Sequence, residues 1–312
     1  MCKGFTFVVA ITIPLASLGE ALSEQEIDEA FADFIARYQK EYHSEAERNR
    51  RRGLFAKTLM DVVAVNEEHN EAAGGSPPTV SGISSKYVAD INAFADLSAE
   101  DFAEELLCGA PITKPNIPLL NISSLGSPNL MNLPEGCKGG LVTHTWVYVQ
   151  NQGIVKESAY PYTAKDGKCK DSVVTSPANQ CLADHDVIGW RAILPEDEPS
   201  LRAAVAEGPV SVNLHASSAR FRNYRFGVMT TKECGEGNLN HAVAIVGYGK
   251  TPEGVTYWKV LNSWGPTWGE DGIGYVERIT PGYPRGPCAI MKDPGLYPVF
   301  ADNIKATACI EK

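Results

Sequence analysis

Positive charge is scarce in this chain. Its 28 lysines and arginines face 38 acidic side chains, a formal net charge of −10. The one basic run, residues 48–52, sits in a helical pattern where arginines form a solvated or ion-paired face. No basic stripe is left to neutralise a phosphate backbone, which argues against nucleic acid as a partner. Long apolar runs are as few. Residues 5–18 fall short of the roughly 20 that span a bilayer, and no longer run follows, so no stable membrane insertion is expected. The eight cysteines contain no Cys-x2-Cys spacing, so the usual zinc signature is missing and no metal site is expected.

What is there is an ordinary globular composition. With 312 residues, 44% of them hydrophobic, the chain can bury a sizeable core in about two domains. Lys3, the apolar run, and the small residues Gly19 and Ala21 have the layout of a signal peptide over residues 1–21. The cysteines and the acceptor Asn121-Ile122-Ser123 add disulfides and glycosylation at Asn121, and hence the secretory pathway, with an extracellular or lysosomal/vacuolar destination.

Ser23, with Glu26 three residues on, starts a helix carrying Ile27, Phe31, Phe34, Ile35 and Tyr38 at helical spacing. A second helix starts near Ser44 and sets Glu47, Arg51, Phe55, Thr58, Val62 and Asn66 along one side. Residues 109–132, with four prolines, read as an exposed linker. Residues 141–150 and 201–207 are helical stretches, and residues 208–212 open a strand. Two further strands, 242–246 and 257–261, are joined by a turn that Gly247, Gly249, Pro252 and Gly254 mark. Pairing them brings His241 beside Asn262. An imidazole can take a proton from a thiol, and an amide carbonyl can fix its tautomer; a lone histidine is otherwise a hydrogen-bonded structural residue.

Asn240-His241-Ala242, Val246-Gly247-Tyr248-Gly249, Asn262-Ser263-Trp264-Gly265 and Trp268-Gly269 stand in the order found in papain-like cysteine proteases, and the chain is identified as a member of that family. The second helix resembles the family's long propeptide helix, with Thr58 and Val62 as departures, and Asn92, Phe94 and Asp96 resemble its next motif, with Asp90 where Gly is usual. The resemblance implies an α+β, papain-like two-domain fold, with a truncated left-hand helical domain and a right-hand antiparallel β domain, behind a helical prodomain. It divides the chain into an inhibitory prosegment (22–107), an activation linker (108–132), an incomplete peptidase domain (133–299) and a tail (300–312). It implies a monomer without cofactor that acts on protein or peptide substrates and is inhibited by its own prosegment. His241 and Asn262 would be catalytic and Trp264 would cover them. Gly139, Gly140, Leu141, Val142, Asn213, Ala242 and Asp293 would bind substrate, Asp293 favouring a basic side chain. Cys234 and Cys288 would form a disulfide.

The family's Gln-Gly-x-Cys-Gly-Ser-Cys-Trp segment does not follow Leu133-Pro134-Glu135. The chain passes straight to Gly136-Cys137-Lys138-Gly139-Gly140, which resembles a later cleft loop, and roughly fifty residues with the nucleophile and the oxyanion Gln are expected to be absent. Cys108 lies 133 residues before His241, a fitting distance, but Pro111 follows where Cys-Trp belongs. Gln152 follows the loop and belongs to a turn. Cys137 precedes a helix yet matches a disulfide half; it and Cys169 pair with each other or with Cys181, or stay free. Three readings follow: a peptidase zymogen rendered inactive, a protease inhibitor acting through its prosegment, and a peptide-binding pseudoenzyme.

Overall fold

The computed structural model describes residues 22–71, 83–107, 140–163, 167–235 and 237–302. The expected signal peptide, the linker, Cys108, Asn121, Cys137, Gly139 and most of the tail lie outside the described residues. Among those described, no helix is long and apolar enough to cross a membrane.

The chain first builds a small helical unit. Helix α1 (Glu24–Tyr38) starts in a reciprocal cap: Ser23 Oγ accepts from the Glu26 N–H at 3.3 Å, and a Glu26 carboxylate oxygen accepts from the Ser23 N–H at 2.8 Å. Ile27, Phe31 and Phe34 turn one face of α1 onto α2 (Glu45–Glu71), where Phe55 meets Phe31 and Phe34 at ring distances of 5.3 and 4.9 Å. Each such aromatic stabilises the unit by ~1.5–3 kcal/mol through burial. Strand β1 (Val88–Ala89) and helix α3 (Ala99–Leu106), the latter capped by Ser98, complete it.

The second half is a β unit. Helix α4 (Val142–Gln152), strand β2 (Ile154–Val155), helix α5 (Asp171–Val174) and strand β3 (Gln180–Leu182) lead into it. Then come β4 (Val187–Ile193), α6 (Glu198–Glu207), β5 (Val210–Leu214), α7 (Ala219–Arg222), β6 (Tyr224–Phe226), β7 (Val228–Met229), α8 (Thr231–Cys234), β8 (His241–Lys250), β9 (Thr256–Leu261), β10 (Ile273–Glu277) and β11 (Gly295–Phe300). Seven strands form one sheet in the order β4-β11-β5-β8-β9-β10-β7. It is antiparallel except where β7 runs parallel to β10. Alternation on β5 buries Val210, Val212 and Leu214 and leaves Ser211 and Asn213 on the other face. Cys234 and Cys288 are disulfide-bonded.

One sequence expectation shifts, and one set of alternatives narrows. Gly247 and Gly249 are not in the turn. They lie inside β8, with a register shift between Ile245 and Gly247, and a Cβ on Gly249 would come within 2.3 Å of the Tyr257 hydroxyl. Gly249 reads as a turn residue because close approach of a cross-strand side chain also favours glycine, whereas a Cβ on Gly247 would meet only Lys259 Cβ at 3.8 Å. The reversal itself is 251–255, closed by Thr251 N–H to Val255 O at 2.8 Å. Cys169 is free and exposed while Cys181 is disulfide-bonded, so the pairings that involve Cys169 are not formed.

The helical unit is strapped to the β unit along one strip of chain. Strand β1 pairs antiparallel with β6, Val88 opposite Phe226 and Ala89 opposite Tyr224. Around that pairing the Tyr87 hydroxyl donates to Arg220 O, Asp90 N–H donates to Asn223 O at 2.9 Å, and Asn92 Nδ2 donates to Arg222 O at 2.7 Å. Lys232 and Arg220 add ion pairs to Glu68 of α2 at 2.6 and 3.0 Å. The 140–182 stretch is held less: α4 packs on β4 over a three-residue core of Val149, Leu182 and Val187.

Candidate active site

The hairpin of β8 and β9 does the positioning. His241 opens β8 and Asn262 follows β9; the register sets Ala244 opposite Leu261, so both residues emerge at the same end of the pair. Their side chains meet with His241 Nε2 2.8 Å from Asn262 Oδ1. That oxygen also accepts the Ser263 N–H at 2.8 Å. An atom accepting from a backbone N–H is the amide oxygen, so Nε2 carries the proton it donates. The lone pair of a neutral ring therefore sits on Nδ1. His241 is 3% exposed, and Nδ1 is buried without a hydrogen-bond partner among the described residues.

An aromatic roof covers the pair. The Trp264 indole stacks on the imidazole with centroids 4.7 Å apart, and Trp268 meets Trp264 edge-on at 5.8 Å. Burial pulls the His241 pKa from 6.5 down to about 4, with the Asn262 bond opposing. The ring is thus neutral near pH 7, as a proton acceptor must be.

The other sequence candidates divide into groups. Asn213 of β5 lies opposite Ala242 of β8, one place from Leu214 opposite His241, and its Nδ2 donates to Asp293 Oδ2 at 3.4 Å. These three polar and small positions do come together beside His241. Gly140 and Leu141 are exposed, and Val142 starts α4, whose main packing partner β4 is three places from β8 in the sheet. Among the described residues no hydrogen bond joins them to Asn213 or Asp293. No cysteine in the chain precedes a tryptophan. The thiol of Cys169 is exposed, and its hydrogen bond with Asp171 pushes its pKa up, the opposite of what a nucleophile needs. Among the described residues no group of three His, Cys, Asp or Glu could hold a metal ion.

The helical motif residues hold the N-terminal unit together. Arg51 reaches Glu47 at 3.9 Å and Asp101 at 3.2 Å and donates to Asp96 O. Phe55, Thr58 and Val62 are buried. Asn66 clasps both backbone groups of Ala89, at 2.9 and 3.0 Å, as a strand partner would. Asn92 Oδ1 accepts the Phe94 N–H, and Asp96 takes Lys40 at 2.9 Å and Tyr42 at 3.0 Å. Sequence reasoning missed Phe102 and Leu106. Phe102 meets Trp264 edge-on at 4.9 Å, Phe94 meets it at 6.2 Å, and the indole N–H donates to Leu106 O at 3.4 Å. The apolar face of residues 99–106 was the signal that could have found them.

Residues 123–295 match the papain family cysteine protease domain, and residues 31–102 match the cathepsin propeptide inhibitor domain. Thiol protease SEN102 of Hemerocallis sp. is 39% identical over 165 residues, 53% of this chain and 43% of that protein. Cysteine proteinase EP-B 1 of Hordeum vulgare is 41% identical over 170 residues, 54% of this chain and 44% of its own. The chain thus spans under half the length of these curated relatives. Two solved precursors share the fold: the ragweed pollen allergen Amb a 11 in its proform, with a TM-score of 0.65 at 22% identity over 90% of this chain and 96% of that one, and recombinant stem bromelain precursor, with 0.66 at 23% over 88% and 99%. This chain belongs to the papain family of cysteine proteases and carries a cathepsin-type propeptide domain at its N-terminal side.

Proposed function

We propose that this chain is a papain-family endopeptidase zymogen in layout and catalytically silent as it stands, because it carries the general base and its orienter without the thiol. The observation that supports this reading is Nδ1 of His241, a lone pair held in a buried site without a hydrogen-bond partner among the described residues. In a complete pair the thiol proton passes to the imidazole, the thiolate attacks the peptide carbonyl, and the imidazolium returns the proton to the leaving amine. Asn262 would keep the ring in the tautomer that allows this. Losing one member of such a unit typically removes most of its rate enhancement.

Residues 22–107 act as the inhibitory prosegment, and residues 133–299 form the incomplete peptidase domain, which works as a monomer in a secretory or vacuolar lumen. The Asn213–Asp293 pair beside Ala242 would place a carboxylate against the substrate side chain bound there and so favour a basic one. The test is hydrolysis of a fluorogenic peptide with a basic residue two places before the fluorophore. It is run from pH 4 to 8, before and after the helical unit is clipped from the β unit by an added protease that is then inactivated. No hydrolysis above the buffer rate is expected. Turnover that iodoacetamide abolishes would refute the reading.

A second reading, inhibition of other papain-family proteases through residues 22–107, is favoured by the unit's own core of Phe31, Phe34 and Phe55. Titrating the full chain against an active family member, with and without Phe55→Ala, tests it. Inhibition lost in the variant supports the reading, and no inhibition by the parent chain sinks it.

A further inference from the structure

Trp264 links His241 to the helical unit, while Phe221 and Trp268 of its own β unit meet it edge-on at 5.6 and 5.8 Å. One ring face lies on His241, with centroids 4.7 Å apart at 30°. The helical unit grips the indole from another side: Phe102 of α3 presents an edge at 4.9 Å, Phe94 another at 6.2 Å, and Leu106 O accepts the indole N–H. The indole is left 6% exposed and the imidazole 3%. Phe102 is held in turn from the β unit. The Arg222 guanidinium lies over its ring at 5.1 Å, and the same arginine donates to Ser98 O at the start of α3, at 3.4 Å. Arg222 is itself partly buried, which lowers its pKa, so this contact is partly shielded from solvent and from salt screening.

We propose that α3 is a brace: through the relay Arg222–Phe102–Trp264 the helical unit presses the indole onto His241 and keeps the base dry. The inference rests on the reading of His241 as the general base, and it adds a second way for the helical unit to silence that base, one that does not involve occupying a substrate cleft. Phe102 and Arg222 are positioning residues acting through Trp264. Water exclusion disfavours the imidazolium, so a braced His241 resists protonation and release of α3 restores an ordinary imidazole. The charged groups nearby do not supply the effect. Asp101 of α3 is turned to Arg50 and Arg51, Lys40 is paired with Asp96, and what acts on His241 from β8, β9 and the 262–268 segment is burial and the neutral Asn262 amide.

The experiment is a titration of the His241 ring nitrogens by ¹⁵N NMR on the full chain, comparing the parent with Phe102→Ala and Arg222→Met. The parent is expected to titrate at about 4. Removing the ring edge in Phe102→Ala raises the midpoint above about 5, and Arg222→Met moves it the same way by less. A merely structural role for Phe102 would lower the melting temperature and leave the midpoint where it was. Midpoints unchanged in both folded variants overturn the brace. If Phe102→Ala fails to fold, Phe102→Leu, which keeps an apolar side chain and loses the ring edge, decides in the same way. A parent ring already protonated at pH 7 would instead overturn the reading of the site itself.

Discussion

Gly227 is where the attachment of the helical unit can be broken with one methyl group. Its φ is +87°, and a Cβ built there would lie 1.6 Å from Lys86 O, 2.4 Å from Lys86 C and 2.8 Å from Tyr87 N. Those atoms are backbone and cannot rotate away, so Gly227→Ala must push residues 86–87 off the β unit. The left-handed conformation alone costs about 1–2 kcal/mol for alanine. Displacing 86–87 removes the Tyr87–Arg220 bond and the β1–β6 pairing next to it, roughly 1 kcal/mol for each bond lost. Together these give about 3 kcal/mol, or a roughly hundredfold rise in local opening. Gly235→Ala is the control: its φ is +66° but nothing lies within 4 Å of the added carbon, so it carries the strain without the clash. Amide hydrogen exchange of residues 87–92 is the assay. Exchange about a hundredfold faster in Gly227→Ala and near parental in Gly235→Ala is expected. Equal exchange in the two folded variants would refute the clamp.

Other consequences follow from the same contacts. Asn66→Leu strips both partners from the buried backbone of Ala89 and should cost about 2–4 kcal/mol in urea unfolding; a loss under 0.5 kcal/mol, on the order of a surface change, would show that the clasp matters little. Replacing Cys234 and Cys288 by alanine opens a link spanning 54 residues and should cost about 4 kcal/mol by the chain-entropy model, read as a lower melting temperature. His241 has its folded pKa depressed from 6.5 to about 4. Its stabilising contribution is therefore complete above pH 6.5 and lost as pH falls toward 4, about 3 kcal/mol in all. The difference in unfolding free energy between the parent chain and His241→Phe should shrink by that amount across the window, and a flat difference would show that the ring is not held neutral.

How much of this was legible in the sequence depends on how local the cause is. The Ser23–Glu26 cap and the Ile27, Phe31, Phe34 stripe are set by neighbours within a few residues, and α1 starts where they say. The His241–Asn262 contact was legible because two short β-rich runs separated by turn residues have essentially one way to pair. The glycines of β8 misled for a physical reason: Gly249 answers a tyrosine on the facing strand, information that sits at residue 257. The two-residue strand β1 was invisible, since its partner lies more than 130 residues on and its pairing is specified mostly by side chains, Tyr87 and Asn92, that bond to carbonyls. Phe102 against Trp264 was hidden likewise; an amphipathic turn says that a face is buried and not which indole it covers.

One measurement bears on the central claim most directly: the ¹⁵N shifts of the His241 ring at pH 7, recorded before and after alkylation of every free thiol in the unreduced chain. A base with no thiol beside it should show the neutral tautomer protonated on Nε2, with the same shifts in both spectra. An imidazolium at pH 7 that becomes neutral on alkylation would mean that a cysteine of this chain is paired with His241 and that the nucleophile is present after all.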